Sequence, residues 1–163
     1  MRLSRSRGLA VLVAFTLAAD WTTKFWVQNR LFLGEVRPVV EGWVTLHHSE
    51  NTGVAFSLFA GAPGVWRLPL LVAGALFGSA LCVGLIRSTR DAVLRLAAAL
   101  VLGGAIGNLG DRLLDGAVTD FILLAYFPFI FNVADVAISA GAVLLALRMM
   151  FGEEEEGEQA APA

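Results

Sequence analysis

Charged residues are scarce in this sequence, and long stretches contain none. Lys, Arg, Asp and Glu together make up 16% of the 163 residues, whereas apolar residues make up 57%. The mean hydropathy of the chain is +0.72. A soluble domain of this length needs a more polar surface than these numbers allow. The composition therefore excludes an ordinary soluble globular domain and favours a chain that crosses a membrane several times.

Cysteine is also nearly absent, since Cys82 is the single one and lies in an apolar stretch. No disulfide can form within the chain, and we interpret Cys82 as a packing residue. Basic residues do not alternate with aromatic ones, so nothing in the sequence points to nucleic acid as a partner. Consecutive glutamates near the C-terminus, mixed with Gly, Ala and Pro, predict a disordered acidic tail over residues 152–163.

Four apolar stretches are long enough to cross a bilayer as helices, which takes about 20 residues. We predict membrane spans at residues 8–27, 68–86, 93–114 and 131–151, which form one membrane domain over residues 1–151. The N-terminus resembles a signal peptide, but no small-residue cleavage site precedes the polar cluster at residues 20–24, so we interpret the first span as retained. The predicted fold class is an all-α membrane protein with four transmembrane helices and a small β-rich arm.

Arginines indicate how these spans are oriented. They cluster before the first span, around the short link between the second and third, and at the end of the fourth: Arg2, Arg5, Arg7, Arg87, Arg90, Arg95 and Arg148. Because short links on the cytoplasmic side of a membrane are enriched in basic residues, we expect both termini to be cytoplasmic. The arm at residues 28–67 and the loop at residues 115–130 should then lie on the outer, periplasmic face.

The arm contains two segments with the composition of short strands. Residues 36–40 and 43–48 are rich in β-branched and aromatic side chains, and they predict a small sheet resting on the membrane surface. His47 and His48 are adjacent, so on a strand their side chains point to opposite faces. With no Cys or acidic partner at a suitable spacing, we expect no metal site there.

Two carboxylates, Asp120 and Asp135, lie in otherwise apolar sequence. Ionisable groups in such surroundings are costly, so they usually either lie near a membrane interface or serve a purpose. When two carboxyl groups are close, one retains a proton while the other remains a base, which is the starting arrangement for acid/base hydrolysis. A hairpin through residues 126–129 would bring Asp120 beside Asp135.

Other polar residues in the spans gather toward the same end. Asp20 and Lys24 are four residues apart and can form an ion pair on one helical face. A second face combines a small residue, an amide and two charges, namely Gly104, Asn108, Asp111 and Arg112. Asn132 can act as the N-cap of the fourth helix, with Asp135 in its first turn. A local ion pair, packing glycines and a helix cap remain open as purely structural interpretations of these residues.

The same residues resemble, in order, the motifs of a known family. The five matching blocks are residues 20–24 (DWTTK), 51–57 (NTGVAFS), 104–112 (GAIGNLGDR), 118–122 (VTDFI) and 131–135 (FNVAD). Together they resemble the lipoprotein signal peptidases, also called signal peptidase II, which are bacterial aspartyl endopeptidases of the inner membrane. Gly110 and Thr119 depart from the usual pattern, where a bulkier apolar residue and Val are more common.

The resemblance implies a role for each matched residue. The catalytic pair would be Asp120 and Asp135. The residues expected at the substrate site are Asn51, Gly104, Asn108, Arg112 and Asn132, and those expected to support the site are Asp20, Lys24 and Asp111.

The resemblance also implies the substrate and the location. The expected substrate is a diacylglyceryl-modified prolipoprotein, cut just before its lipidated cysteine by a site facing the periplasm, with no metal or cofactor. We further expect contacts with membrane lipids and a monomeric protein.

Three other functions remain open from the residues alone. A proton-coupled transporter would use carboxylates as a proton relay across the bilayer. An intramembrane protease of the prepilin peptidase type would need the motif Gly-x-Gly-Asp, but residues 108–111 lack its first glycine. A non-enzymatic assembly factor would tolerate replacement of either aspartate by asparagine.

Overall fold

The computed structural model of the chain describes residues 2–53 and 64–159. The elements in chain order are α1 (Arg2–Arg30), β1 (Val36–Val40), β2 (Val44–Asn51), α2 (Gly64–Ser88), α3 (Ala92–Leu114), β3 (Val118–Leu124), β4 (Ile130–Phe131) and α4 (Val133–Gln159). Over the described residues, four helical stretches are long and apolar enough to cross a membrane: Arg7–Arg30, Val65–Ser88, Ala92–Leu114 and Val133–Phe151. The prediction of four apolar helices and a small sheet is confirmed.

Two boundaries differ from the sequence prediction. The fourth helix begins at Val133, because Phe131 pairs in β4 and Asn132 caps the helix. At its other end α4 continues to Gln159, whereas we expected disorder from residue 152 onward. Extending an existing helix requires no new nucleus, and glutamate has a high helix propensity. Both favour helix for these residues, although their negative charge predicted disorder. Residues 160–163 lie outside the described part of the chain.

The third helix is at the centre of the bundle and contacts α1, α2 and α4. Its buried face is lined by small residues, which let neighbouring helices approach closely. A Cβ atom added at Gly104 would lie 2.4 Å from the carbonyl oxygen of Ala134 on α4, and one added at Gly141 of α4 would lie 2.6 Å from the carbonyl oxygen of Ala97. The close contact between α3 and α4 therefore depends on glycine at both positions.

The sheet has four antiparallel strands in the order β1-β2-β3-β4. The first strand agrees with the prediction, whereas β2 extends to Asn51 and thereby brings that residue opposite Val118 of β3. The predicted hairpin after Asp120 is also confirmed, since β3 pairs with β4 in the register Ile122 with Phe131.

The sheet lies at the end of the bundle where α1 and α3 end and α4 begins. A small apolar cluster of Val27, Leu31 and Phe121 joins α1 to β3 there. We call this the sheet end of the bundle. The opposite end contains the link between α2 and α3, at residues 89–91, and Arg148 of α4.

Candidate active site

Asp120 and Asp135 meet at the sheet end through one residue, Asn132. The side-chain amide of Asn132 donates to Asp120 Oδ1 at 2.6 Å, and its backbone N–H donates to Asp135 Oδ2 at 3.2 Å. Asp120 is on β3 and Asp135 is in the first turn of α4, so the hairpin between them returns the chain to the same place. The structure thus brings together the two carboxylates that the sequence singled out.

Asn132 and Asp135 form a reciprocal cap at the start of α4. Asn132 Oδ1 accepts a hydrogen bond from the backbone N–H of Asp135 at 2.9 Å, while Asp135 Oδ2 accepts from the backbone N–H of Asn132. This pattern satisfies two N–H groups that a helix start leaves without partners. The predicted N-cap is confirmed, and the same cap fixes the Asp135 carboxylate.

Asp120 is buried, with 3% of its surface exposed, and its two oxygens accept from two different amides. Besides Asn132, Asn51 Nδ2 donates to Asp120 Oδ2 at 2.9 Å. The orientation of the Asn51 amide is set by Gly53, whose backbone N–H donates to Asn51 Oδ1 at 2.9 Å. Burial, followed by the nearby charge of Asp135, raises the pKa of Asp120 to about 7.

Asp135 has more favourable surroundings for a negative charge. Asn108 Nδ2 donates to Asp135 Oδ1 at 2.8 Å, in addition to the backbone N–H of Asn132 on Oδ2. The carboxylate also lies in the first turn of α4, where the helix dipole favours an anion. The surroundings of the two aspartates are therefore unequal: burial favours the protonated form of Asp120, and the contacts of Asp135 are those that an ionised carboxylate makes best.

Lys24 is at the centre of a buried group of charges behind this pair. Its Nζ lies 2.7 Å from Asp20 Oδ2, 2.9 Å from Asp111 Oδ2 and 2.9 Å from Asn108 Oδ1. Lys24 is 2% exposed and Asp20 is fully buried. The predicted pair of Asp20 and Lys24 is confirmed, and the structure adds Asp111 and Asn108 to it.

Asp20 and Asp111 each also bind a backbone group next to a candidate catalytic residue. Asp20 Oδ1 accepts from the N–H of Ala134 at 2.9 Å, and Asp111 Oδ2 accepts from the N–H of Thr119 at 3.2 Å. The supporting role that the resemblance implied for Asp111 thus takes the form of an acceptor for a backbone N–H group. These contacts tie α1 and α3 to the residues that precede Asp135 and Asp120 in the chain.

Arg112 points to the end of β2. Its Nη2 donates to the carbonyl oxygen of Gly53 at 3.1 Å and its Nη1 to that of Asn108 at 3.3 Å. Its Nε is buried, and among the residues that the structure describes it has no hydrogen-bond partner and the guanidinium forms no ion pair. One N–H group of this guanidinium is thus left without an acceptor among the described residues.

Gly104 is not among these polar groups. A Cβ atom there would meet the Ala134 carbonyl oxygen and the Ile138 side chain, so the glycine is part of the contact between α3 and α4. This position favours the packing interpretation of Gly104 over the substrate contact that the resemblance implied.

Sequence reasoning missed Gln28. Its side-chain amide donates to Thr119 Oγ1 at 2.8 Å and so attaches the end of α1 to β3, one residue before Asp120. No local pattern marks Gln28, because its partner is 91 residues away in the chain. Thr119, one of the two departures from the family pattern, provides the hydroxyl for this contact.

Two other predictions concern the arm. The block at residues 51–57 is described only as far as Gly53, so residues 54–57 lie outside the described part. Within the described ranges, no group of three or more His, Cys, Asp or Glu side chains is arranged to hold a metal ion. His48 is buried, and its Nδ1 lies 3.0 Å from the carbonyl oxygen of Leu31.

Comparison with known proteins identifies related chains over nearly the full length. The family model described as signal peptidase (SPase) II matches residues 12–151. A protein from Pseudomonas syringae pv. tomato named lipoprotein signal peptidase is 40% identical over 153 residues, which cover 90% of this chain and 87% of that protein. A protein of the same name from Syntrophus aciditrophicus is 34% identical and covers 90% and 94%, respectively.

Two solved structures share the fold. Each is described as a bacterial membrane enzyme. One superposes with a TM-score of 0.84 at 20% identity and covers 96% of this chain and 94% of the other. The second superposes with a TM-score of 0.80 at 21% identity and covers 88% and 93%, respectively. At this level of identity the two structures support the fold alone.

Proposed function

The chain belongs to the signal peptidase II family, and from that premise we propose that it is a membrane aspartic endopeptidase that removes signal peptides from prolipoproteins. Family membership rests on the match over residues 12–151 and on relatives at 40% identity. The observation that supports the residue assignment is the position of Asn132, whose hydrogen bonds reach both Asp120 and Asp135.

The unequal surroundings of the two aspartates suggest their roles in hydrolysis. Asp135, ionised, takes a proton from a water molecule, whose oxygen attacks the carbonyl carbon of the scissile peptide bond. Asp120, protonated, donates a hydrogen bond to the carbonyl oxygen as negative charge develops on it. Asp135 then transfers its proton to the leaving nitrogen as the carbon–nitrogen bond breaks. No covalent intermediate with the protein is formed.

Two groups around the pair are suited to contact the substrate. Asn51 is partly exposed and can exchange hydrogen bonds with an extended peptide that lies across Asp120, whereas Asn132 is fully buried and holds the two aspartates. Arg112, whose Nη2 donates to Gly53 and whose Nε has no acceptor among the described residues, is the proposed donor to an ester or peptide carbonyl of the lipid-bearing residue. We therefore propose diacylglyceryl-modified prolipoproteins as substrates, cut just before the lipidated cysteine.

The proposed location is the bacterial inner membrane. Arginines flank the ends of the helices that lie away from the sheet, so the sheet end and the candidate site would face the periplasm and both termini the cytoplasm. One chain contributes both aspartates and all the asparagines, so the proposed site is complete in a monomer.

The comparisons give no support to the transporter alternative. A proton path across the bilayer also needs polar groups along its length. Between Leu68 and Ile86 the second helix has no Asp, Glu, Lys, Arg or His residue, and the polar cluster of the candidate site lies at the sheet end.

The proposed function can be tested with a matched pair of substrates. Purified protein in lipid vesicles is given a diacylglyceryl-modified prolipoprotein and, separately, the same prolipoprotein without the lipid. We expect cleavage before the modified cysteine and none of the unmodified chain. Equal cleavage of both would indicate a general peptidase, and cleavage of neither would contradict the proposal.

A further inference from the structure

Lys24 takes no direct part in the proposed hydrolysis, yet its ammonium group contacts the residue that holds Asp135. The three groups around Lys24 Nζ are all oxygen atoms, from Asp20, Asp111 and Asn108, at distances of 2.7 to 2.9 Å. An ammonium group has three N–H donors and no acceptor. Lys24 can therefore face only the oxygen of the Asn108 amide.

This contact decides which way the Asn108 amide points. With Asn108 Oδ1 held by Lys24, the NH₂ group must point to the other side, where it donates to Asp135 Oδ1 at 2.8 Å. The reversed amide would place an oxygen against the carboxylate and an NH₂ group against the ammonium, and both contacts would be repulsive. Asn132 Nδ2 also reaches Asn108 Oδ1, but at 3.2 Å, and its shorter contact is with Asp120 at 2.6 Å.

We propose that Lys24 is a positioning residue that fixes the direction of the Asn108 amide and so keeps an N–H donor on Asp135 Oδ1. The proposal rests on the proposed function and adds a residue to its machinery. Charged groups near Asp135 come from three elements: Asp120 on β3, Arg112 and Asp111 on α3, and Lys24 and Asp20 on α1. The charge of Lys24 also acts on Asp120, so its removal has two effects that the test must separate.

Two substitutions at the same position separate these effects. Lys24→Gln and Lys24→Met both remove the positive charge, but only glutamine retains an N–H donor for the Asn108 oxygen. The measurement is kcat/KM as a function of pH with a diacylglyceryl-modified peptide. The proposed mechanism predicts a bell-shaped pH profile. The acid limb reports ionisation of the base, and the alkaline limb reports loss of the proton from the acid.

We expect the loss of charge to move both limbs to higher pH in both variants. In Lys24→Met the released amide should move the acid limb by about one further pH unit, so that the bell is narrower than in Lys24→Gln. Coincident profiles for the two variants would overturn the proposal, because Lys24 would then act through its charge alone.

Two controls keep the result interpretable. If the Lys24 variants fail to fold because Asp20 has lost its cation, two charge-balanced double variants give the same comparison. They combine Asp20→Asn with either Lys24→Met or Lys24→Gln, and thermal unfolding verifies that each is folded. Cleavage by both Asp120→Asn and Asp135→Asn would instead contradict the proposed function itself. A bell that narrows equally in the glutamine and methionine variants contradicts only the role given to Lys24.

Discussion

The two ends of the helix bundle hold their charged groups in different ways. At the sheet end, the side chains of Lys24 and Asp20 are 3% and 0% exposed, and a second carboxylate, Asp111, shares the same ammonium. At the opposite end, Arg148 Nε lies 2.6 Å from Asp91 Oδ2, but the two side chains are 31% and 20% exposed. Removing one partner from a buried ion pair is strongly destabilising, whereas an exposed pair contributes little.

The difference indicates that the sheet end is organised around a task that the opposite end does not have. The buried cluster links α1 and α3 to backbone groups of α4 and β3, next to the two aspartates. The Asp91 pair links α3 to α4, and Asp91 also caps α3. Substitutions at the sheet end should therefore change cleavage, and those at the opposite end should change stability slightly.

The largest expected effect comes from the aspartates themselves. Asp120→Asn and Asp135→Asn each remove a group that transfers or holds a proton, so the cleavage rate should fall by about 10²- to 10⁴-fold or more. The matched control is Asp115→Asn, at an exposed aspartate that ends α3 and makes its cap contact through the backbone. Initial rates with lipid-modified substrate are the measurement. Substantial activity in either Asp120→Asn or Asp135→Asn would contradict the catalytic role that distinguishes the sheet end from the opposite end.

The next effect is the dependence of cleavage on pH. The pKa of Asp120 is raised to about 7, so Asp120 is protonated below that pH and loses its proton above it. Because the proposed mechanism requires the protonated form, kcat/KM should fall about tenfold for each pH unit above about 7. Asp91→Asn should give the same profile as the unchanged protein. Activity that rises steadily through pH 8 would instead assign the role of base to Asp120.

Glycines in the contact between α3 and α4 test whether packing next to Asp135 affects cleavage more than packing elsewhere along the two helices. An alanine at Gly104 or Gly141 would meet a backbone carbonyl oxygen, at 2.4 Å or 2.6 Å, and either change should cost about 1–3 kcal/mol of stability. Gly104 contacts Ala134, next to Asp135, so Gly104→Ala should also lower cleavage several-fold, and Gly141→Ala should lower it less. Gly78→Ala is the control, since no atom of the described residues lies within 4 Å of its added Cβ. Thermal unfolding and initial rates, measured on all three variants, provide the comparison.

The smallest effect is expected at the opposite end. Asp91 Oδ1 accepts from the N–H groups of Val93 and Leu94, and its other oxygen accepts from Arg148. Asp91→Asn retains a capping oxygen but loses the charge and the acceptor for Arg148, so the fall in Tm should be small. Asp91→Ala also loses the cap and should lower Tm further. Cleavage at saturating substrate should stay unchanged in both variants, and a clear loss of activity would mean that the opposite end takes part in function.

Sequence patterns predicted much of the fold because the relevant signals are local. A continuous apolar stretch specifies a membrane helix wherever it occurs, which is why all four were found within a few residues of their ends. Neighbouring residues likewise determine the cap formed by Asn132 and Asp135 and the ion pair of Asp20 with Lys24. The end of α4 was less predictable, because the charge of residues 152–159 favours disorder while their helix propensity favours continuation.

By itself, the sequence determined that the chain has four apolar helices, a small sheet and two aspartates suited to share a proton. Only the tertiary structure decided which groups hold those aspartates. Asp20 reaches the N–H of Ala134 across 114 residues, and Lys24 reaches Asn108 across 84. The packing of α1 against α3 and α4 creates these contacts, and no local pattern encodes them. The direction of an amide or a carboxylate depends on the donors that surround it, and those donors come together only when the helices pack.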